Sequence, residues 1–395
     1  MPDDRRFGLR GELTRRNHTE HDRLEQGMTL ELDAGMDAIG DILASGCALI
    51  DVRAEIEFEK GAIPGSVNLP ILRTAEREQV GTCYKRRGQE AAIKLGHSLV
   101  TGDERAVRTE RWCDYIRSNP GAQLFCWRGG LRSRLAGEWV RAEGVEVPVV
   151  PGGFKALRLR LLRELDDTAR EQPMLIVGGS TGSGKTEIIL SVSGGIDLEG
   201  YARHRGSSFG RRAVGPPTQM NFENQLALTL LKWRRNHDGA SIVLEDESRQ
   251  IGAVTIPEPL FRAMSDAPLV VVERPLEERV ERILSEYCGL DLDEWLALEP
   301  DAGYQLYADN LLDALARIRK RLGGVLYAEL NAIMRQALDQ QRENGDISRH
   351  RDWIRSLLVD YYDPRYNYQL DNSARTVVFR GTAEEVIAYC QANLS

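Results

Sequence analysis

Apolar and polar positions change rhythm several times along the chain, and each change marks an element. Residues 48–53 (ALIDVR) predict a strand, EIEFEKG a short helix, Pro64 and Gly65 a turn, and SVNLP a second strand, with β-branched residues in the strands and Gly or Pro at the breaks. Helical spacing over 104–119 stops at Asn119-Pro120-Gly121, and 123–126 then forms a short strand that leaves Cys126 at its C-terminal end. A helix over about 132–143, a strand over 147–150 and a helix over 154–165 complete a first domain at 29–165. The polar stretch 166–172 reads as a linker.

Beyond it, short β-branched runs at 174–177 (MLIV), 242–244 (IVL), 269–272 (LVVV) and 376–379 (TVVF) alternate with helical patterns. That alternation predicts a mostly parallel sheet covered by helices on both faces, in a second α/β domain at 166–395. The last strand leads into Thr382-Ala383-Glu384-Glu385, a capping-box spacing that opens a helix. Residues 306–358, rich in Leu, Ala and Arg, predict a helical insert or subdomain. The first 28 residues are charged, carry no sustained apolar period and read as a mobile tail, with Met28 an alternative start.

A length of 395 residues with 42% hydrophobic and 28% charged content suits two or three globular domains. Without a run of eighteen apolar residues, and with a polar N-terminus, the expected setting is the cytoplasm, with no membrane partner. Six cysteines with no C-x-x-C pair argue against a disulfide framework or a zinc site, and most are expected to be reduced and inert. A net charge of −8 means that any nucleic acid is met by local basic patches.

Two motifs carry chemistry. Gly179-Ser180-Thr181-Gly182-Ser183-Gly184-Lys185-Thr186 fits G-x-x-x-x-G-K-[ST] between an apolar strand and a helical pattern. Gly179, Gly182 and Gly184 let the backbone, including Ser183, fold its N–H groups inward onto phosphate oxygens, Lys185 neutralises them, and Thr186 can hold Mg²⁺. The strand at 242–244 ends in Glu245-Asp246-Glu247, which resembles the acidic motif whose carboxylate reaches that metal, so Thr186 and Asp246 are the expected metal residues.

The second motif, Cys126-Trp127-Arg128-Gly129-Gly130-Leu131-Arg132-Ser133, sets a cysteine ahead of a glycine loop and a helix start. Loop N–H groups, the helix N-terminus, Arg128 and Arg132 all favour the thiolate, which makes Cys126 the expected nucleophile. Asp51 and Arg53 are expected to form a structural ion pair.

Asp51-Val52-Arg53, Glu57-Phe58 and the run Gly61 to Pro70 upstream of this loop resemble the rhodanese superfamily, in which the cysteine carries a sulfane sulfur. The spacing C-x5-R is one residue longer than the usual sulfurtransferase loop and equals that of related phosphatases. A rhodanese-like α/β domain followed by a P-loop NTPase-like α/β domain is similar to one family, bacterial tRNA 2-selenouridine synthase. Further segments carry that resemblance: Gly152-Gly153-Phe154-Lys155-Ala156-Leu157-Arg158, His204 to Gly210, Asn221-Phe222-Glu223-Asn224, and Tyr362-Asp363-Pro364 with Tyr366 and Tyr368.

The resemblance implies a transferase that replaces the sulfur of wobble 2-thiouridine in tRNA with selenium from selenophosphate, by way of an S-geranyl intermediate. It implies geranyl diphosphate on the P-loop, with Mg²⁺ and no phosphoryl transfer, Cys126 receiving or positioning selenium, and a partner that supplies selenophosphate. Bases would stack on Phe209, Tyr361, Tyr362 or Tyr366. Phosphates would meet Arg203, Arg205, Arg211, Arg212, Arg317, Arg319, Lys320 or Arg321, with 204–212 favoured because that polar, Gly-rich stretch has no core to serve. The rival expectation is a cysteine-dependent phosphatase or phosphotransferase with an ATP-binding P-loop, which C-x5-R-S supports.

Overall fold

The structure, a computed structural model, describes residues 35–394; the expected tail at 1–28 lies outside them. The described residues divide into two compact units, one holding 35–59 and 65–160, the other 60–64 and 161–394.

The first unit is built on a parallel sheet of order β2-β1-β3, from β1 (Leu49–Asp51), β2 (Val67–Asn68) and β3 (Gln123–Phe125). Ile50, Val52 and Leu124 are fully buried and pack with Trp112, Ala136 and Val140 from the flanking helices. The expected strand at 147–150 is reduced to a single parallel bridge, Leu124 to Val149. Pro148 has no N–H to donate, so the pairing cannot extend into a ladder.

The expected linker is helical instead: one helix runs Gly153–Glu171. Its buried stripe of Leu157, Leu161 and Leu165 continues through Thr168, which is 0% exposed, so the helical period outlasts the apolar composition.

In the second unit β4 (Met174–Gly178), β5 (Gly195–Ile196), β6 (Ile242–Glu245), β9 (Leu269–Val272) and β10 (Val377–Gly381) form a wholly parallel sheet of order β10-β9-β4-β6-β5. Every residue of β4, β6 and β9 is buried, which explains why these strands read as unbroken apolar runs rather than alternation. A hairpin of β7 (Gln250–Ile251) and β8 (Val254–Thr255) follows β6, with Gly252 at φ +57° in its two-residue turn.

The helical part is larger than the sequence suggests, running from Leu276 to Asp371 around Tyr307, Leu311, Met334 and Trp353. Two of its segments, Leu284–Leu290 and Leu358–Tyr362, are π-helical. The capping box forms as expected, Thr382 N–H donating to Glu385 at 2.8 Å and Glu385 N–H to Thr382 Oγ1 at 3.4 Å.

Candidate functional site

Cys126 follows β3, whose last two residues are fully buried, so the thiol is delivered from a rigid base. Gly129 takes φ +64° to turn the loop into the helix Leu131–Ala142. The loop is clamped from behind by Gly152-Gly153-Phe154: Phe154 N–H donates to Cys126 O at 2.8 Å and Lys155 N–H to Trp127 O at 3.0 Å. Gly153 sits at φ +58°, where a Cβ would run into the Cys126 carbonyl oxygen and the Gly129 nitrogen.

The Asp51–Arg53 pair forms as expected at 2.6 Å and is buried, and the Arg53 guanidinium lies 3.7 Å over the Phe154 ring. The ion pair therefore steadies the turn that holds the cysteine loop.

Cys126 is 3% exposed, and its sulfur lies 3.2 Å from Ser133 Oγ. Burial pushes the thiol up, but hydrogen bonds from the Ser133 hydroxyl and from the N–H groups of Ser133 and Arg128, with the charge of Arg132, outweigh it and hold the thiol below its usual range. The two arginines thus act differently: Arg128 contributes its backbone N–H, its residue being exposed, whereas Arg132 contributes charge. That charge is shared, because Arg132 Nη1 donates to Glu57 Oε2 at 2.7 Å and Arg77 faces the same carboxylate at 3.6 Å. Of the other cysteines, Cys113, Cys288 and Cys390 are buried, and burial raises each thiol.

The phosphate loop lies between β4 and the helix Lys185–Ser191. Gly182 at φ +80° and Gly184 at φ +90° make its turns, and Lys185 Nζ folds back to Gly179 O at 3.3 Å. Ser183 Oγ is buried with no hydrogen-bond partner. The loop is anchored by Arg279, 6% exposed, which donates to Thr181 O at 3.3 Å and to both oxygens of Asp363 at 2.7 and 2.6 Å.

Thr186 Oγ1 donates to Glu199 Oε2 at 3.2 Å, and Glu199 N–H donates to Glu245 Oε2 at 3.1 Å. Glu245 is fully buried, its Oε1 has no partner, and burial followed by the charges of Glu199 and Asp197 pushes its carboxyl up to about 8. Asp246 points elsewhere and is paired with Arg375. The acidic group on the Thr186 side is therefore Glu199 with Glu245 and Glu247, which both interact with it, because successive side chains at a strand end face opposite ways.

A hydroxyl and hard carboxylate oxygens, one of them orphaned, fit Mg²⁺, which binds through one or two protein groups plus substrate phosphates.

The loop opens into a cavity of about 880 Å³, shared with Ser207, Tyr287, Tyr361, Tyr362, Tyr366 and Arg375. The stretch 204–212 lines it but does serve a core. Phe209 is 2% exposed and stacked on Trp353 with ring centroids 5.5 Å apart, which removes it as a stacking platform. Arg205 pairs with Asp291 and Arg212 with Glu294, so neither offers a free charge to a phosphate. Tyr361 is also buried, whereas Arg317, Arg319, Lys320 and Arg321 are exposed on the helix Gly303–Leu322.

Residues 172–395 match the family described as tRNA 2-selenouridine synthase AAA domain, and residues 31–159 match the rhodanese-like domain. A tRNA 2-selenouridine synthase of Hahella chejuensis is 47% identical over 350 residues, covering 88% of this chain and 92% of that protein. One of Ectopseudomonas mendocina is 46% identical over 351 residues, covering 88% and 94%. One of Cupriavidus necator is 45% identical over 358 residues, covering 89% and 96%.

Proposed function

The chain belongs to the tRNA 2-selenouridine synthase family and is an enzyme that modifies tRNA, and from that membership we propose a two-step exchange divided between its two loops. Residues 166–395 activate the base and residues 29–165 supply selenium.

In the first step the diphosphate of geranyl diphosphate lies in the N–H cradle of 179–186, with Lys185 on its terminal oxygens. The sulfur of wobble 2-thiouridine attacks the allylic carbon, the carbon–oxygen bond to pyrophosphate breaks and N3 gives up its proton, while Lys185 with the loop N–H groups stabilises the departing pyrophosphate. Mg²⁺, when bound through Thr186 and Glu245, supplies further positive charge at those oxygens. The alkylated sulfur is a better leaving group than a thiocarbonyl sulfur, so geranylation prepares C2 for displacement.

In the second step Cys126 positions selenophosphate, whose phosphate faces the loop N–H groups of 127–133 and the charge of Arg132; its selenium attacks C2, the S-geranyl group leaves as geranyl thiol, and water cleaves the Se–P bond to release phosphate and 2-selenouridine. The observation that carries this reading is the presence, in one chain, of an anion cradle around an acidified thiol and of a P-loop whose Thr186 meets Glu199, itself bonded to Glu245 with its unsatisfied buried oxygen. The setting that fits is the cytoplasm, with thiolated tRNA and a selenophosphate-producing enzyme as partners. No helix among the described residues is long and apolar enough to cross a membrane.

The test is incubation of the protein with 2-thiouridine tRNA and geranyl diphosphate, followed by selenophosphate, with the digested nucleosides weighed after each addition. ATP or phosphate-ester hydrolysis with no change in the tRNA would instead support the phosphatase or phosphotransferase reading.

A further inference from the structure

One lobe of the cavity is not used by the phosphate loop. It lies where β4 gives way to that loop, and its walls are Phe261, Leu269, Leu370 and the ring of Tyr366, with Asp246 and Arg375 set among them. A Cβ placed on Gly178 would meet Leu269 Cδ1 at 2.9 Å, and Asp246 Oδ2 and Tyr366 Oη both at 3.3 Å, so these groups converge on one point next to the loop.

The ion pair there is only half used. Arg375 Nε donates to Ser265 O at 3.1 Å and Nη1 to Asp246 Oδ1, which fixes the guanidinium, yet Nη2 has no partner among the described residues. Asp246 Oδ2 likewise accepts nothing, and the buried Tyr366 hydroxyl is unpartnered. A hydrocarbon would leave all three polar groups without a partner. A flat ligand with a donor beside an acceptor on one edge satisfies them.

We propose that this lobe receives the target pyrimidine of the tRNA. The base lies against the apolar walls, Arg375 Nη2 donates to O4, Asp246 Oδ2 accepts from N3–H, and the Tyr366 hydroxyl meets the remaining edge. The assignment rests on the two-step reading above for the identity of the base as a 2-thiouracil. Anticodon-loop bases are already unstacked enough to be extruded into such a pocket. The pair also sets specificity. A cytosine turns an amino group toward Arg375 and a lone pair toward Asp246, so both contacts become repulsive.

The experiment measures binding of two anticodon stem-loop RNAs, identical except for 2-thiouridine or 2-thiocytidine at the target position, to the full chain and to Asp246→Asn. Asparagine keeps an oxygen for Arg375 but turns a donor toward the base. The wild type is expected to prefer thiouridine by about tenfold or more, and Asp246→Asn to collapse that preference to about twofold with pyrophosphate binding unchanged. Tyr366→Phe, which removes one hydroxyl, is expected to weaken thiouridine RNA about fivefold and keeps the test open should the first variant fold poorly.

An undiminished preference in Asp246→Asn overturns the assignment. So does loss of geranyl diphosphate affinity in both variants with base discrimination intact, which would make the lobe an isoprenoid subsite. ADP binding that Asp246→Asn weakens while RNA discrimination persists would make it a purine pocket. If the wild type discriminates the bases but forms no geranyl adduct, the lobe stands and the two-step reading fails.

Discussion

Removing the Ser133 hydroxyl should raise the Cys126 thiol and slow its alkylation about tenfold at neutral pH. Ser133 is fully buried, and its Oγ lies 3.2 Å from both Cys126 Sγ and Gly130 O. Once the thiol ionises only the hydroxyl can donate, so the bond strengthens on ionisation. A hydrogen bond to a charged group is worth about 1.5–3 kcal/mol, and its lower end corresponds to about a tenfold change in thiolate population.

The backbone N–H groups of Ser133 and Arg128 and the charge of Arg132 remain in Ser133→Ala, so reactivity falls without vanishing. The assay is iodoacetamide alkylation across pH 5 to 9 (about the working range of the thiol), read by mass spectrometry of the peptide bearing Cys126, because Cys47 and Cys83 are also partly accessible. The thiolate is present above the thiol's pKa and lost as pH falls through it, so the midpoint should move to higher pH in the variant. An unchanged midpoint would refute the role of Ser133, and a fall would refute the sign.

Glu57→Gln should act in the opposite sense, since it releases Arg132 from the carboxylate it meets at 2.7 Å and leaves its charge to the loop; the same alkylation series should shift to lower pH. Lys185→Ala should weaken geranyl diphosphate binding by about 100-fold, measured by calorimetry, while leaving Cys126 alkylation unaltered. Arg279→Met should destabilise the protein by about 3–5 kcal/mol in urea unfolding, because Asp363 is left without the partner now at 2.6 Å and the tie to Thr181 is cut.

Acid should also weaken the helical part through His350. This residue is fully buried, its Nδ1 accepts from Trp353 Nε1 at 2.8 Å, and burial holds its pKa at about 4. The imidazole must therefore stay neutral in the fold. Its contribution is complete above the unfolded value near 6.5 and is lost as pH falls toward 4, a difference of about 3 kcal/mol. Stability measured across that window should decline in the wild type and decline less in His350→Gln.

Much of this is legible in the sequence. Unbroken apolar runs located β4, β6 and β9 because both sheet faces are covered, and the two glycine loops announced themselves through residues whose spacing leaves few alternatives. What was missed depends on direction and partnership rather than pattern. The acidic triplet after β6 was recognised, but the partners of its members depend on register: Glu245 accepts from Glu199 N–H, whereas Asp246 pairs with Arg375.

The stretch 204–212 looked free of a core because its one large apolar residue, Phe209, meets Trp353 more than a hundred positions later. Ser133 carried a weak signal, a hydroxyl one residue past the loop arginine, yet only its distance to the sulfur gives it a role. Glu57 stood within a recognised motif, and its pairing with Arg132 across 75 residues could not be inferred from spacing.

The central claim, that activation and selenium delivery belong to different loops, is tested most directly with Cys126→Ala. Incubated with 2-thiouridine tRNA, geranyl diphosphate and selenophosphate, the variant should yield S-geranyl-2-thiouridine and no 2-selenouridine on nucleoside mass spectrometry. Formation of 2-selenouridine by Cys126→Ala, or loss of the geranyl adduct with it, would contradict the account.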